Sequence, residues 1–299
     1  MSCCQDSSTC CKPSTSETLP SCFGEAADLG TKLAHDATDQ DRRDVVRQGY
    51  QKVAENDQPS QTTYDIALSL GYTEDDLAYI GDSANLALGC GNPIAAANLT
   101  EGETVVDLGS GAGIDCLLAS RQVGPKGKVI GIDFTPEMIK RAQANASAKG
   151  VFNTEFLLGD LVDLPVDDNT VDCVISNCVI NLVPEKELAF SEAYRILKPG
   201  GRLIVSDMVL LKPISPEVRS SAACTVGCIA GAVMKDEYLN LIHEAGFETP
   251  KTLESKYIRD ENLTRHDRGR ITVDKYKFSS EFVEGPFACA LKVFAIKTK

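Results

Sequence analysis

The 299-residue chain contains no tryptophan, only three histidines, and too few basic side chains to balance its acidic ones. Thirty lysines and arginines stand against 43 aspartates and glutamates, and the formal net charge is −13. Such a chain has no general cationic field for a phosphate backbone, so the composition argues against a nucleic-acid-binding protein. An anionic membrane surface is disfavoured for the same reason.

Long apolar runs are also missing. No stretch offers about 18 consecutive apolar residues, and the first residues lack the cationic start and apolar run of a secretory signal. We therefore expect a cytoplasmic protein without a membrane span. In that reducing compartment structural disulfides are rare, so thiols stay free unless they bind metal or do chemistry.

Cysteine, by contrast, is abundant, with 12 in the chain. A chain of this length buries enough surface to fold without disulfides, so the thiols need another explanation. Five lie in a Ser/Thr/Pro-rich segment too poor in aliphatic residues to pack, and residues 1–40 are predicted to form a disordered tail. The tail cysteines are Cys3, Cys4, Cys10, Cys11 and Cys22. The body cysteines are Cys90, Cys116, Cys173, Cys178, Cys224, Cys228 and Cys289.

Short apolar runs alternate with amphipathic helices along the middle of the chain. This alternation predicts a doubly wound α/β fold, a parallel sheet covered by helices on both faces. The predicted strands are residues 104–108, 128–132, 154–158, 171–176, 202–206 and, closing the sheet, 288–296. The predicted helices are residues 114–123, 136–149, 187–197 and 235–245. The pattern indicates a Rossmann-like domain with N-terminal helices over residues 41–210 and a smaller α+β region over residues 211–299. In the latter, residues 251–277 carry mixed charges and are interpreted as a solvated surface.

A glycine-rich turn follows the first predicted strand. Gly109, Gly111 and Gly113 lead into a helix, and Asp133 ends the next strand. This arrangement brings bare backbone and a helix amino terminus to a cofactor, with a carboxylate for ribose hydroxyls. Enzymes that use NAD have the same device, but their G-x-G-x-x-G spacing is absent here.

Three further features accompany this loop: Asp107 before it, Gly159-Asp160 after the third strand, and the segment 197–201 before the fifth. Their order and spacing resemble the class I S-adenosylmethionine-dependent methyltransferases. The resemblance implies that Asp133 binds the ribose hydroxyls of S-adenosylmethionine and that Asp160 faces its adenine amino group. We also assign Asp107, Gly109, Gly111, Gly113 and Asn177 to the expected cofactor site.

A narrower resemblance rests on four motifs in order between residues 41 and 247. They are Gly-Cys-Gly-Asn-Pro at 89–93, Asp-Leu-Gly-Ser-Gly-Ala-Gly-Ile-Asp-Cys at 107–116, Ser-Asn-Cys-Val-Ile-Asn-Leu at 176–182, and Gly-Cys-Ile-Ala-Gly-Ala at 227–232. These motifs are similar to those of the arsenite S-adenosylmethionine methyltransferase family. The resemblance implies that Cys90, Cys178 and Cys228 bind trivalent arsenic as catalytic ligands.

The chemistry is consistent with these residue types. Arsenic(III) is soft and prefers thiolates to oxygen or nitrogen ligands. Its lone pair carries no proton, so attack on the sulfonium methyl requires no general base, which accords with the lack of histidine near the motifs. The resemblance further implies arsenite or methylarsenite as substrate and a thiol reductant such as glutathione or thioredoxin.

The remaining thiols leave alternatives open. Cys173 and Cys289 are interpreted as core residues, because cysteine is often buried. Many family members have a fourth cysteine before the Gly-Cys-Gly motif, which is absent here, and Cys22, Cys116 or Cys224 are candidates to replace it. Two other functions remain open: a class I methyltransferase of another small molecule, and a thiol-rich metalloid-binding protein without turnover.

Overall fold

The computed structural model describes residue 33 and residues 37–55, 61–248, 272–276 and 288–298. Seven strands and ten α-helices follow one another in this part of the chain. The strands are β1 (Thr104–Leu108), β2 (Lys128–Asp133), β3 (Thr154–Leu158), β4 (Val171–Asn177), β5 (Leu197–Leu210), β6 (Thr272–Tyr276) and β7 (Ala288–Ile296). The helices are α1 (Asp39–Glu55), α2 (Gln61–Ser69), α3 (Glu74–Ile80), α4 (Ile94–Ala97), α5 (Ile114–Val123), α6 (Pro136–Ala148), α7 (Lys186–Ile196), α8 (Pro216–Arg219), α9 (Ala222–Val226) and α10 (Lys235–Glu244).

The strands form one sheet in the order β3-β2-β1-β4-β5-β7-β6. Strands β1 to β5 are parallel to their neighbours among these five, while β7 runs antiparallel to both β5 and β6. The strand order changes direction at β1, because β2 lies on one side of it and β4 on the other. The predicted doubly wound α/β fold is confirmed.

Each face of the sheet packs against its own apolar cluster. Neighbouring residues of one strand belong to different clusters: Val105 packs on the side of α5 and α6, and Val106 packs on the side of α7 and α10. Because successive side chains in a strand point to opposite faces, an unbroken apolar run is the pattern of a strand covered on both sides. The core is therefore continuous through the sheet and leaves the strand ends for polar chemistry.

The fifth strand differs from the prediction. The sequence predicts that the segment 197–201 ends a helix and that a strand begins at Arg202, but α7 ends at Ile196 and β5 begins at Leu197. The pairing with β4 jumps from Val171–Leu197 to Cys173–Arg202, so the extra residues form a bulge. The bulge remains paired because the amide of Gly200 donates to the carbonyl of Lys297 at 2.7 Å.

The edge of the sheet also contains a strand that the sequence did not predict. Strand β6 lies within the segment 251–277 that we interpreted as a solvated surface, and it pairs with β7. The mixed charges of the segment gave no strand signal, although charged side chains are common on strands at the edge of a sheet. The rest of that segment lies outside the described residues.

The amino-terminal boundary differs slightly from the prediction. Helix α1 begins at Asp39, so the last residues of the predicted tail belong to it. Thr38 and Asp41 cap the helix reciprocally, since the amide of Thr38 donates to the Asp41 carboxylate at 2.8 Å and the amide of Asp41 donates to the Thr38 hydroxyl at 3.2 Å. The rest of the predicted tail, apart from residues 33 and 37, lies outside the described residues. Among the helices that the structure describes, none is long and apolar enough to cross a membrane.

Candidate functional site

A cleft of about 800 Å³ opens at the carboxyl ends of the central strands. This is the edge at which open α/β sheets bind ligands, where the strand order changes direction. Polar and glycine residues from the ends of β1, β2 and β4 line it together with two tyrosines and one thiol. They include Tyr50, Tyr72, Gly89, Asp107, Gly109, Ser110, Gly111, Asp115, Asp133, Asn177 and Cys178.

The loop between β1 and α5 has the conformation for which its glycines were singled out. Gly109, Gly111 and Gly113 have φ values of 70°, 51° and 91°, a region that other residues occupy only at a cost. A Cβ on Gly109 would lie 2.4 Å from the side chain of Val179, whereas one on Gly111 would meet nothing within 4 Å. The loop is thus packed against the protein on one side and open on the other.

Asp133 ends β2 and holds this loop. Its carboxylate accepts the amide of Gly111 at 3.0 Å and the amide of Thr135 at 2.9 Å. Burial raises the pKa of Asp133, and these backbone donors partly offset that effect. Asp107, the last carboxylate before the loop, is buried and accepts the Cys116 thiol at 3.2 Å; burial and the charge of Asp115 raise its pKa.

Asp160 lies in a smaller adjoining cleft of about 370 Å³. Its carboxylate forms an ion pair with Arg43 of α1 at 2.6 Å, and the same guanidinium contacts Glu185 at 2.6 Å. The sequence did not indicate Arg43, since a basic residue on an amphipathic helix has no local signal for a partner 117 positions away. Asp160 is therefore at the predicted edge, with a cation beside it that was not foreseen.

The residues fit the S-adenosylmethionine that the resemblance implies. Gly111 leaves an open cradle beside the amino terminus of α5, where exposed amides favour a carboxylate. The buried hydroxyl of Ser110 has no hydrogen-bond partner among the described residues, so it is available to a polar ligand. Asp133 and Asp160 place carboxylates at the neighbouring strand ends, where the resemblance predicts the nucleoside.

Next to the cleft, the structure brings the three predicted thiol ligands together from three distant segments. The sulfur atoms of Cys90 and Cys178 and a carboxylate oxygen of Asp207 all lie within 4.8 Å of one another. The Cys228 sulfur lies 2.9 Å from the carbonyl oxygen of Cys178. All three cysteines are buried, and Cys178 also lines the cleft.

Two of these cysteines have an uncommon backbone conformation. Cys178 and Cys228 both have a φ of 62°, in the left-handed region. That conformation costs a non-glycine residue about 1–2 kcal/mol and persists only where the surroundings impose it. Cys178 sits directly after β4, and its sulfur lies within 4.8 Å of the Cys90 sulfur. Strain of this kind is concentrated at functional sites in proteins.

The surroundings of Cys90 and Cys178 favour the protonated form of both thiols. The neighbouring Cys228 and Cys90 thiols, together with burial, raise the pKa of Cys178 well above its ordinary value. A hydrogen bond with Cys178 lowers the pKa of Cys90, but burial and the charge of Asp207 raise it by more. In the free protein both thiols therefore remain neutral at physiological pH.

Asp207 was not predicted as part of the site. It lies within β5, fully buried, and accepts the Asn181 amide at 2.8 Å and the Tyr238 hydroxyl at 3.2 Å. Burial raises its pKa to about 6, despite these donors and the positive charge of Lys186. No sequence signal separated this carboxylate from other acids, because its proximity to Cys90 arises from the packing of the Cys90 loop against β5, where the Cys90 thiol donates to the carbonyl oxygen of Ser206 at 3.2 Å.

The other body cysteines occupy different surroundings. Cys173 is inside β4, where burial raises its pKa to about 12, and Cys289 is inside β7. Both are buried in the apolar clusters, as the core interpretation predicts. Cys116 is buried beneath the glycine loop on Asp107, whereas Cys224 is half-buried in α9. Among the described residues no cysteine forms a disulfide.

Comparison with known proteins places the chain in a family. Residues 99–246 match the family model of a methyltransferase domain. The chain is 48% identical over 200 residues to the arsenite methyltransferase of Halobacterium salinarum, an alignment that covers 66% of this chain and 51% of the relative. It is 34% identical over 167 residues to the human arsenite methyltransferase, covering 53% of this chain and 44% of the relative. The chain thus spans about half the length of these curated relatives.

A solved structure extends the similarity. The arsenic(III) S-adenosylmethionine methyltransferase of Chlamydomonas reinhardtii is 31% identical and superimposes with a TM-score of 0.53. That match covers 81% of this chain and 74% of the algal one. Sequence and architecture are therefore both similar over most of the chain. The chain belongs to the arsenite S-adenosylmethionine methyltransferase family.

Proposed function

We propose that this protein methylates trivalent arsenic, using S-adenosylmethionine as the methyl donor and Cys90, Cys178 and Cys228 as the arsenic ligands. The convergence of these three thiols from distant segments, beside the cleft at the carboxyl ends of the strands, carries the proposal. A core of incidental cysteines would have no reason to be assembled there with two strained backbones. The family relationship supports the same reaction.

Arsenic binding is written as an exchange that conserves charge. Arsenous acid carries three hydroxyl groups, and each thiol replaces one of them: a sulfur–arsenic bond forms, an arsenic–oxygen bond breaks, and the thiol proton leaves with the hydroxyl as water. Neutral thiols and a neutral acid give a neutral trithiolate and three waters. The raised pKa values of Cys90 and Cys178 suit this exchange, because a buried site stabilises neutral reactants better than charged ones.

The bound arsenic keeps its lone pair, which is the nucleophile for methyl transfer. S-adenosylmethionine supplies a methyl group on a positively charged sulfur. Asp133 and the glycine loop would hold the donor, in a cleft that Tyr50, Val179 and Leu182 also line. Alignment of the lone pair with the methyl group lowers the barrier through proximity, with no proton to remove. The lack of histidine in the described site agrees with this mechanism.

The proposed reaction has a second substrate and needs a reductant. Methylarsenite fits the same thiols, because a methyl group in place of one hydroxyl leaves two exchangeable positions. Methyl transfer uses the arsenic lone pair and leaves the methyl–sulfur electron pair on S-adenosylhomocysteine, so arsenic rises from +3 to +5. A thiol reductant such as glutathione or thioredoxin is needed to return the arsenic, or an oxidised cysteine, to the reactive state. We place the reaction in the cytoplasm, where such reductants are abundant.

The test is a product assay with the purified full-length chain. Incubation with arsenite, S-adenosylmethionine and glutathione should form methylarsenicals, with one S-adenosylhomocysteine for each methyl group transferred, as measured by element-specific chromatography. Formation of S-adenosylhomocysteine only with another acceptor would favour a different small-molecule methyltransferase. Tight arsenite binding with no S-adenosylhomocysteine would favour a metalloid-binding protein without turnover.

A further inference from the structure

Asn177 is the last residue of β4 and precedes Cys178, yet its side chain contacts the loop that carries Cys90. Its Oδ1 accepts the backbone amide of Cys90 at 3.1 Å. Its Nδ2 donates to the carbonyl oxygen of Gly91 at 2.8 Å. One carboxamide thus holds the backbone at Cys90 and at the residue that follows it, although it lies 87 positions away in sequence.

The glycines around Cys90 permit this contact. A Cβ on Gly89 would lie 2.6 Å from the Asn177 Nδ2, and a Cβ on Gly91 would lie 2.2 Å from the hydroxyl oxygen of Ser206. Any side chain at either position would push the loop off its supports. The two glycines therefore allow the Cys90 loop to pack closely against the Asn177 carboxamide on one side and against β5 on the other.

The carboxylate of Asp115 fixes the orientation of the Asn177 carboxamide. The Nδ2 group lies 3.2 Å from Asp115 Oδ2 and 3.1 Å from the hydroxyl oxygen of Tyr72, which itself donates to Asp115 Oδ1 at 2.9 Å. An ionised carboxylate only accepts hydrogen bonds, so the NH₂ group must face it. The carbonyl oxygen is then turned toward the amide of Cys90.

From this arrangement we propose that Asn177 is a positioning residue for the arsenic site: it holds the Cys90 thiol where the third sulfur–arsenic bond must form. The inference rests on the proposed function of the thiols as ligands. Cys228 is held against Cys178 directly, since the Cys228 thiol donates a hydrogen bond to the backbone carbonyl oxygen of Cys178. Cys90 meets Cys178 through its sulfur, so the placement of its backbone depends on the loop that Asn177 holds.

This positioning role differs from that of a residue that binds S-adenosylmethionine. The sequence assigns it to the cofactor site, and it does line the cleft. Its amide, however, is engaged by four protein groups: Cys90, Gly91, Tyr72 and Asp115. Removing the amide should therefore weaken arsenite binding even when no S-adenosylmethionine is present, whereas loss of a cofactor ligand would have no effect in that condition.

The experiment measures arsenite affinity of the full chain by equilibrium dialysis without S-adenosylmethionine. Asn177→Ala is expected to bind arsenite about 10- to 100-fold more weakly, the usual cost of losing a residue that orients a ligand. Asn153→Ala is the matched control, because Asn153 also donates to two backbone carbonyls, those of Ser120 and Gly124, at the far end of α5. It should bind arsenite as the wild type does.

A polarity swap distinguishes positioning from general damage to the fold. Asn177→Asp alone places two carboxylates side by side and leaves Gly91 without its donor, so it should bind arsenite as weakly as Asn177→Ala. Adding Asp115→Asn removes the repulsion between the two carboxylates and restores an amide–carboxylate pair with reversed roles, so the carboxylate at position 177 is held where it accepts the amide of Cys90, while the Gly91 carbonyl still lacks its donor. The double variant should recover about tenfold of the lost affinity.

The outcomes are separable. If the wild type does not bind arsenite, the proposed function fails. If the wild type binds and Asn177→Ala binds equally well, Asn177 does not position Cys90. If Asn177→Ala binds weakly but the double variant recovers nothing, the loss comes from the fold and the inference is also overturned.

Discussion

The interior of the sheet and its carboxyl edge use the same residue types in different states. Inside β4, Cys173 is a buried thiol in a regular strand and contacts chiefly apolar neighbours. Beyond the end of the same strand, Cys178 is also buried but has a left-handed backbone and contacts two other thiols. Burial alone does not mark a functional cysteine; the backbone and the polar neighbours do.

Acidic residues show the same contrast. Glu103 lies just before β1, at the opposite edge of the sheet, and forms an ion pair with Arg202 at 2.7 Å. Burial raises the pKa of Glu103, but the hydrogen bonds and charge of Arg202 lower it by more. Asp207, near the thiols, has a raised pKa because its donors do not offset its burial. At the carboxyl edge of the sheet the charged form of Asp207 is therefore disfavoured, whereas at the opposite edge Arg202 stabilises the charged form of Glu103.

The sharpest test of this comparison exchanges sulfur for oxygen on both sides of the end of β4. Cys178→Ser should lower kcat/KM for arsenite methylation more than about 100-fold, because losing a ligand costs more than losing a residue that orients one. Cys173→Ser should keep the rate within a few-fold and lose about 1–3 kcal/mol of unfolding free energy, since its hydroxyl is buried among apolar groups. Initial rates of methylarsenical formation and urea unfolding measure the two effects.

Cys90→Ser and Cys228→Ser extend this test across the cluster. Both should behave like Cys178→Ser if all three sulfur atoms bind arsenic. An equal loss of rate in Cys173→Ser and Cys178→Ser, at matched folded fraction, would show that the cluster has no special role.

Much of the fold and one half of the site could be predicted from the sequence. The strands from β1 to β4 and the loop from Gly109 to Gly113 are contiguous patterns, in which neighbouring residues determine the local conformation. The predicted thiols could be grouped only through family resemblance, because nothing local connects Cys90 with Cys228. Sequence periodicity carries no information on which loops meet at the end of a sheet.

The rest depends on tertiary contacts. The ion pair between Arg43 and Asp160 and the docking of Asn177 on the Cys90 loop join residues that are far apart in the chain, and a single sequence has no signal for such pairs. The bulge after Leu197 was missed for a related reason. Its proline and glycines normally end an element, but pairing with the chain after β7 keeps it in the sheet.

A smaller effect is expected in the pH dependence of stability. The pKa of Asp207 is about 6 in the folded protein against 3.8 as its reference value, so the folded state binds more protons than the unfolded state between these pH values. Unfolding free energy should therefore fall as pH rises from about 4 to about 7, by about 2 kcal/mol for this group. Asp207→Asn should remove that part of the slope, as followed by urea unfolding at each pH.

Glu103→Gln is the matched control for this prediction. The pKa of Glu103 is lowered in the folded state, so this group stabilises the fold above its unfolded pKa and loses that contribution as pH falls. Its removal should change the slope in the opposite direction. If the wild type and Asp207→Asn have the same pH profile, Asp207 does not titrate as its surroundings indicate.

The smallest expected effect concerns the backbone itself. Glycine normally destabilises a strand relative to alanine by about 0.5–1 kcal/mol, and Cys173→Gly should be less stable than Cys173→Ala by about that amount. At Cys178 the order should reverse, with Cys178→Gly more stable than Cys178→Ala by about 1 kcal/mol, because glycine adopts a φ of 62° without strain. Urea unfolding of the four variants measures both differences. The same order at both positions would mean that the left-handed turn after β4 stores no strain, and that the carboxyl edge differs from the interior only in its polar neighbours.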